Sequence, residues 1–305
     1  MAGAVSIENV HKSYNGFQAL GGVNLQVDSG ALFGLIGPDG AGKTTLMRIL
    51  TTLLFPTKGN ATVLGYDTVN EFKQIRKKAG YMPGRFSLYP DLSVEENLDF
   101  YARIFGTTVS QNYHLIRDIY EQIEPFKDRH AGKLSGGMKQ KLALSCALIH
   151  KPEVLFLDEP TFGVDAVSRQ EFWEMLKKLK NEGMTIMVST PYMDEAALCD
   201  KIALMQKGSL LDADTPHNIR QKFPHPIYAV TADNIAAVLG ELRKQPQIKT
   251  AFPFGDNIHI TTFEKLDKRK LKKSLSRQGY ENVSVEKIEP EIEDCFMNLI
   301  HDNDD

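Results

Sequence analysis

The chain has 305 residues, of which 42% are hydrophobic and 25% charged, with 36 Lys and Arg against 39 Asp and Glu for a net charge of −3. At roughly 100 to 200 residues per domain it holds one large domain or two unequal ones, and its composition excludes a disordered, collagen-like or disulfide-scaffold protein. The near-neutral balance supplies no general field for holding phosphates of DNA or RNA, so no nucleic-acid partner is expected.

The opening residues, MAGAVSIENV, lack the charged and apolar regions of a signal peptide, and the chain is expected to stay in the cytoplasm. Strands are predicted at 4–10, 23–27 and 31–36, followed by a helix at 43–53. Helices follow at 93–105, 111–124 and 136–149. Segment 111–124 sets Leu115, Ile116, Ile119 and Ile123 on one face and ends at Pro125. Next come a strand at 154–157, a helix at 168–182, a strand at 185–189, a helix at 193–198 and a strand at 201–205. This alternation is the pattern of a mainly parallel sheet covered by helices, an α/β fold. The longest apolar stretches, such as 31–37 and 154–157, fall far short of the ~20 residues of a membrane-spanning helix. Cys146, Cys199 and Cys295 have no metal-ligand spacing and read as reduced, partly buried thiols.

The cluster PHNIRQKFPHP, with three prolines at 216–226, is expected to break regular structure and link two units. Beyond it the pattern runs strand 227–231, helix 233–244, strand 248–253, strand 257–262, helix 265–278 and strand 282–287, a small α+β sandwich in βαββαβ order. A last helix is predicted at 291–300, after Pro290, and the acidic tail HDNDD reads as a solvated end.

Residues 37–44 read GPDGAGKT, between the apolar run 32–36 and a helical segment, which is the strand-to-helix setting of a phosphate-binding loop. Gly37, Gly40 and Gly42 let the backbone turn successive amides toward phosphates, and the helix N-terminus adds its partial positive charge. Lys43 supplies a full charge at the β and γ phosphates of a nucleotide, while the Thr44 hydroxyl can ligate magnesium. The buried-type strand 154–157 ends in Asp158 and Glu159. Ligands of open α/β sheets bind at the carboxyl ends of strands, so both carboxylates are expected beside the loop. Asp158 is the expected magnesium partner, and Glu159 the group that polarises an attacking water. On these residues alone a P-loop kinase, a GTPase and a transport ATPase all remain open.

The run LSGGMKQ at 134–140, followed by a helical segment and then the aspartate strand, resembles the signature of the ATP-binding cassette (ABC) ATPases. The resemblance extends in the family's order over residues 4–215. It implies a P-loop NTPase cassette with a RecA-like core, an antiparallel β subdomain and a helical signature subdomain, occupying residues 1–215. A linker at 216–226 and an accessory α+β domain at 227–305 would follow. It also implies ATP and Mg2+ as cofactors. Gly37, Gly40, Ala41, Gly42, Lys43, Thr44 and Thr45 would cradle the phosphates, Tyr14 would stack on adenine, and Thr44 and Asp158 would hold the metal. Glu159 and Lys43 would be the catalytic pair. In the family Ser135, Gly136 and Gly137 serve the γ phosphate of a nucleotide held by a second cassette, and Asp165 lies in the loop linking the two sites. The partner would therefore be a second ABC ATPase subunit, in a head-to-tail homo- or heterodimer.

The segment from YMP at 81 through VSTPYMDEA at 188–196 looks most like exporter ATPases of the multidrug and antibiotic-resistance type. Those pair with separately encoded transmembrane permeases at the inner face of the cytoplasmic membrane, and residues 81–105 look like the part that meets the permease. Soluble ABC proteins of ribosomes or DNA usually carry two cassettes, long coiled-coil inserts or basic arms, which this chain lacks. Two positions depart from the family. Gly84 stands where it carries a glutamine, and Pro191 where it carries a switch histidine. Neither side chain can hydrogen-bond, so this chain's own site is expected to be impaired.

Overall fold

The computed structural model describes residues 3–84 and 87–304. Its first two strands, β1 (Val5–Tyr14) and β2 (Phe17–Val27), pair antiparallel with Tyr14 opposite Phe17. They are longer than their apolar stretches suggest because Asn15 and Gly16 both take positive φ, 45° and 89°, in a two-residue turn that matches the twist of the flanking strands. β3 (Leu32–Ile36) is buried along its whole length and leads through the glycine loop into α1 (Lys43–Leu50). The predicted continuation of that helix to residue 53 fails, since Thr52 adopts φ 61°.

Residues 58–82 form four elements that the sequence pattern did not reveal: β4 (Lys58–Val63), β5 (Tyr66–Asp67), α2 (Phe72–Lys78) and β6 (Ala79–Met82). They are short, and the glycines of KGNATV and AGYM dilute the apolar period. α3 (Val94–Ile104), α4 (Val109–Tyr120) and α5 (Gly136–Leu148) form the helical part of the unit. The predicted helix at 111–124 starts two residues earlier, at a Thr108 capping box, and stops at Tyr120. β7 (Val154–Asp158), α6 (Ala166–Asn181), β8 (Thr185–Thr190), β9 (Lys201–Gln206) and β10 (Ser209–Asp214) complete it. Residues Met193–Leu198 form 3₁₀ turns rather than an α-helix.

The six-stranded sheet runs β10-β9-β3-β8-β7-β6, with only β10 antiparallel to its neighbour. A four-stranded antiparallel sheet, β2-β1-β4-β5, stands apart from it. One core fills the space between: Val5, Val10, Val23 and Val27 of the antiparallel sheet meet Leu46, Met47 and Leu50 of α1 and Phe33, Phe156 and Met187 of the parallel one. Each such fully buried side chain contributes about 1.5–3 kcal/mol.

The chain divides into two compact units, 1–216 and 217–305. Pro216 does not break structure; it opens α7 (Pro216–Gln221), where a proline at the first turn forfeits no helical hydrogen bond. α7 is fastened within the second unit by Arg220, which donates to the Pro290 carbonyl and pairs with Glu289. Then come β11 (Ile227–Thr231), α8 (Ile235–Leu242), β12 (Ile248–Phe254), β13 (Asn257–Thr262), α9 (Lys268–Arg277), β14 (Ser284–Lys287) and α10 (Ile292–Asp304). The sheet order β12-β13-β11-β14, antiparallel throughout, is the split βαβ arrangement. Its separate core is built on Tyr228, Val230, Leu242, Ile260, Leu271 and Leu275. Cys146, Cys199 and Cys295 are buried and form no disulfide. No helix among the described residues is long and apolar enough to cross a membrane.

Candidate functional site

β3 lies between β8 and β9, so its carboxyl end delivers the glycine loop to the middle of the sheet. The loop is held on three sides. Gly37 donates its amide to the Thr190 carbonyl (3.2 Å), Ala41 accepts from Gly208 (3.0 Å), and Gly208 accepts from Gly21 of β2 (2.8 Å). Two positions admit only glycine. A Cβ on Gly37 would lie 2.2 Å from the Met205 carbonyl oxygen, and Gly42 combines φ 102° with a Cβ position 2.7 Å from the Ala19 oxygen. Gly42 caps α1 without any side-chain hydrogen bond, and no acidic residue occupies the first turn. The first amides of the helix therefore face the loop, ready for an anion.

Lys43 is 2% exposed, and its Nζ donates to the carbonyls of Gly37 (2.8 Å) and Pro38 (3.0 Å) while pairing with Glu159 Oε1 at 3.2 Å. Thr44 Oγ1 donates to Asp158 Oδ1 (3.1 Å), which also accepts from Ser189 Oγ (2.6 Å). Glu159 escapes the line of β7 because its backbone is left-handed, φ 50°, with its amide bonded to both the carbonyl and the hydroxyl oxygen of Ser189 at 3.0 Å. Such a conformation costs of order 1–3 kcal/mol in a non-glycine residue. It aims the carboxylate at the phosphate loop instead of into the sheet. Tyr81, on the neighbouring β6, has its phenol pushed up to about 12, chiefly by burial and then by Asp158.

Tyr14, 41% exposed at the end of the β1–β2 hairpin, lines one cleft of about 240 Å³ together with Phe17, the loop residues Gly40 to Thr45, and Glu159. Lys12 Nζ lies 5.2 Å over the Tyr14 ring. Among the described residues no three His, Cys, Asp or Glu side chains gather as a ready-made cation cage. Thr44 and the buried Asp158 fit magnesium all the same, because that ion takes one or two protein oxygens and completes its shell with phosphate and water.

Ser135 caps α5, accepting from the Met138 amide at 3.3 Å, and Gly136 and Gly137 form the first turn. Gly137 permits a close approach to the start of α6, since a Cβ there would lie 2.7 Å from Ser168 Oγ. Asp165 caps α6, and the Ser168 amide it accepts from (3.0 Å) holds its carboxyl below the usual range. Ser135, Gly136, Gly137 and Asp165 are thus gathered in one place, but none of them lines the cleft of Lys43 and Tyr14.

Sequence reasoning missed Ser189 and a buried carboxylate, Glu195. Glu195 is 2% exposed and accepts from Thr161 Oγ1 (2.8 Å) and Thr190 Oγ1 (2.5 Å), with Arg169 Nε 3.9 Å away. It joins the loop after β7 to the end of β8, beside Pro191. The only signal in the sequence was an acidic pair in STPYMDEA. At the other departure, a Cβ on Gly84 would stand 2.9 Å from the Asp158 carbonyl oxygen, so a glutamine there requires the backbone to shift. The 81–105 segment contains Arg85 and Phe86, which lie outside the described residues. The remainder borders an apolar groove of about 400 Å³ lined by Tyr81, Met82, Leu88, Tyr101, Ile104 and Phe105.

Residues 20–162 match the ABC transporter family. Over 300 residues, 97% of this chain and 96% of the relative, the sequence is 32% identical to Nod factor export ATP-binding protein I of Rhizobium sp. (strain N33). The chain belongs to the ABC transporter ATP-binding proteins. It is 36% identical over 302 residues to the Escherichia coli (strain K12) protein named "Probable multidrug ABC transporter ATP-binding protein YbhF", covering 97% of this chain and 52% of that one. The chain thus spans about half the length of that relative. The linearmycin resistance ATP-binding protein LnrL of Bacillus subtilis (strain 168) is 36% identical over 212 residues, 68% of each chain. A solved ATP-binding subunit of an ABC transporter superposes with a TM-score of 0.66 at 26% identity, over 72% of this chain and 93% of that one. A dimeric, post-hydrolysis ATP-binding cassette bound to ADP and Pi gives 0.63 at 26% identity, over 69% and 98%. The cassette fold expected from the motifs is therefore the fold of the first unit.

Proposed function

We propose that this chain is the ATP-hydrolysing energy subunit of an exporter-type ABC transporter, working from the cytoplasmic face as a peripheral membrane protein. The observation that carries the reading is the convergence of Lys43, Thr44, Asp158 and Glu159 at the carboxyl ends of β3 and β7. Lys43 and the α1 amides neutralise the β and γ phosphates, while Thr44 and Asp158 hold magnesium, which supplies further charge neutralisation when bound. Glu159 polarises the attacking water. The 3.2 Å Lys43–Glu159 pair keeps base and cation over one spot, and a γ phosphate that claims Lys43 frees Glu159 to accept a proton.

Ser135, Gly136, Gly137 and Asp165 lie away from the chain's own cleft, which supports a head-to-tail dimer in which a second cassette presents its signature to this phosphate loop. The similar solved cassette bound to ADP and Pi is dimeric, which supports a dimer here. Gly84 and Pro191 lack side chains to bind the reacting groups. At about 100 to 1,000-fold per lost transition-state hydrogen bond, the site on this chain's loop is slow, and an asymmetric heterodimer with a competent partner cassette is favoured over a homodimer. The apolar groove of Tyr101, Ile104 and Phe105 is the expected seat of the permease, and the second unit, residues 217–305 with α7 included, is an accessory domain after the cassette. ATP closes the dimer, and hydrolysis with product release reopens it against the permease.

The test is magnesium-dependent ATP binding and turnover by the purified chain, with Lys43→Ala and Glu159→Gln beside it. Binding that Lys43→Ala abolishes, together with negligible turnover, is expected. Rapid turnover by the chain alone that vanishes in Glu159→Gln would overturn the impaired site, and ATP binding indifferent to Lys43→Ala would overturn the site itself.

A further inference from the structure

Between residues 265 and 277 the chain carries seven Lys and Arg against the single Asp267, in a protein whose net charge is −3. All seven are exposed. Among the described residues none has an ion-pair partner. Six of them ride on α9, and Arg269, Lys270, Lys273 and Arg277 share one face at helical spacing, lining a shallow groove of about 580 Å³.

This charge is placed against the stability of the helix. Lys268, Arg269 and Lys270 occupy the first turn, where the helix dipole disfavours cations, and the N-cap Asp267, which accepts from the Lys270 amide, is the one carboxylate set against the three of them. Lys268 and Lys272, Arg269 and Lys273, and Lys273 and Arg277 are like-charge pairs four residues apart, each unfavourable in an isolated helix. A polyanion laid along that face relieves the Arg269–Lys273 and Lys273–Arg277 repulsions.

We propose that the α9 face of the second unit docks on an anionic membrane surface. The helix cannot roll over and insert, because Leu271 and Leu275 are committed to the core of the unit. The contact is therefore electrostatic and at headgroup depth, as for a polybasic segment. Phe263, 61% exposed and five residues before the helix, is the kind of aromatic side chain that settles at a bilayer interface. The residues lining the groove include no aromatic ring, so it offers bases nothing to stack on, which favours lipid over single-stranded nucleic acid. Membership of a family of membrane-transporter subunits puts a bilayer within reach.

The proposal concerns no step of ATP chemistry. Vesicle binding is read without nucleotide or permease, so its failure leaves the reading of the ATP site untouched. The purified full chain is mixed with phosphatidylcholine vesicles containing or lacking phosphatidylglycerol, and the bound fraction is measured by sedimentation. Binding confined to the anionic vesicles, weakened by added salt, is expected. At about fivefold per cation, replacing Arg269, Lys273 and Arg277 together by Gln should cost roughly 100-fold in partitioning while ATP binding and the circular dichroism spectrum stay unchanged. Equal binding to neutral vesicles, or unchanged binding by the folded triple variant, would overturn the proposal. So would displacement from the vesicles by duplex DNA at equal phosphate concentration, which would make nucleic acid the better partner of this face.

Discussion

Glu195 shows how a residue remote from any motif can govern one. Its carboxylate bridges Thr161 and Thr190, and the Thr190 hydroxyl in turn accepts from the Tyr192 amide, so the backbone on both sides of Pro191 is fixed through a single acid. Glu195→Ala leaves two buried hydroxyls without their acceptor and is expected to cost about 1–3 kcal/mol of stability, measured by urea denaturation. An unchanged midpoint would show that the bridge does not bear on the fold. Lys43, Thr44, Asp158 and Glu159 were legible in the sequence because each belongs to a contiguous motif of strand, loop and helix. Glu195 and Ser189 were not, since their partners lie up to 34 residues away and only the folded sheet brings them together. The left-handed turn at Glu159 was equally invisible: nothing in LDEP marks the residue that must leave the strand.

Among the elements, those with strong periods and caps were read well and the short ones were not. Ser93 forms a full capping box with Glu96 and starts α3 within one residue of the predicted position. The Asn15–Gly16 turn, by contrast, carries β1 and β2 beyond their apolar stretches through a two-residue hairpin signal, YNGF, that has no hydrophobic period of its own. On α5's flank, His150 stacks on Phe105 with ring centroids 3.8 Å apart and donates from Nε2 to the Ala79 carbonyl at 3.1 Å, and its buried Nδ1 finds no hydrogen-bond partner among the described residues. Burial holds this imidazole's pKa below 6.5. Below that value the unfolded chain binds the extra proton more readily, so the stability His150 contributes is present above pH ~6.5 and falls as the pH drops through the unfolded pKa. Between about pH 7.5 and about pH 5.5, His150→Gln should therefore lose less melting temperature than the parent chain. An equal loss in both would show that the stacked ring does not titrate as described.

At the scale of the molecule, each unit has its own core, and α7, expected as linker, is tied by Arg220 and Ile219 into the second. A fragment from Thr215 to the end should fold alone and melt cooperatively by circular dichroism, whereas a broad, non-cooperative melt would mean that its core depends on the first unit. The βαββαβ order of that fragment was readable because each of its elements is bounded by a clear turn. The first unit was harder, because its strands are interleaved rather than sequential. The central strand β3 ends at residue 36, yet its partners are β8 and β9, and the loop after it is finished only by contacts with Thr190 and Gly208. On a ribosome, the chain would thus have made its nucleotide loop long before it could shape it. The β1–β2 hairpin can form as soon as Val27 has emerged. The ATP cleft must wait for Gly208, so ATP can stabilise the newborn protein only after nearly all of its cassette has been synthesised.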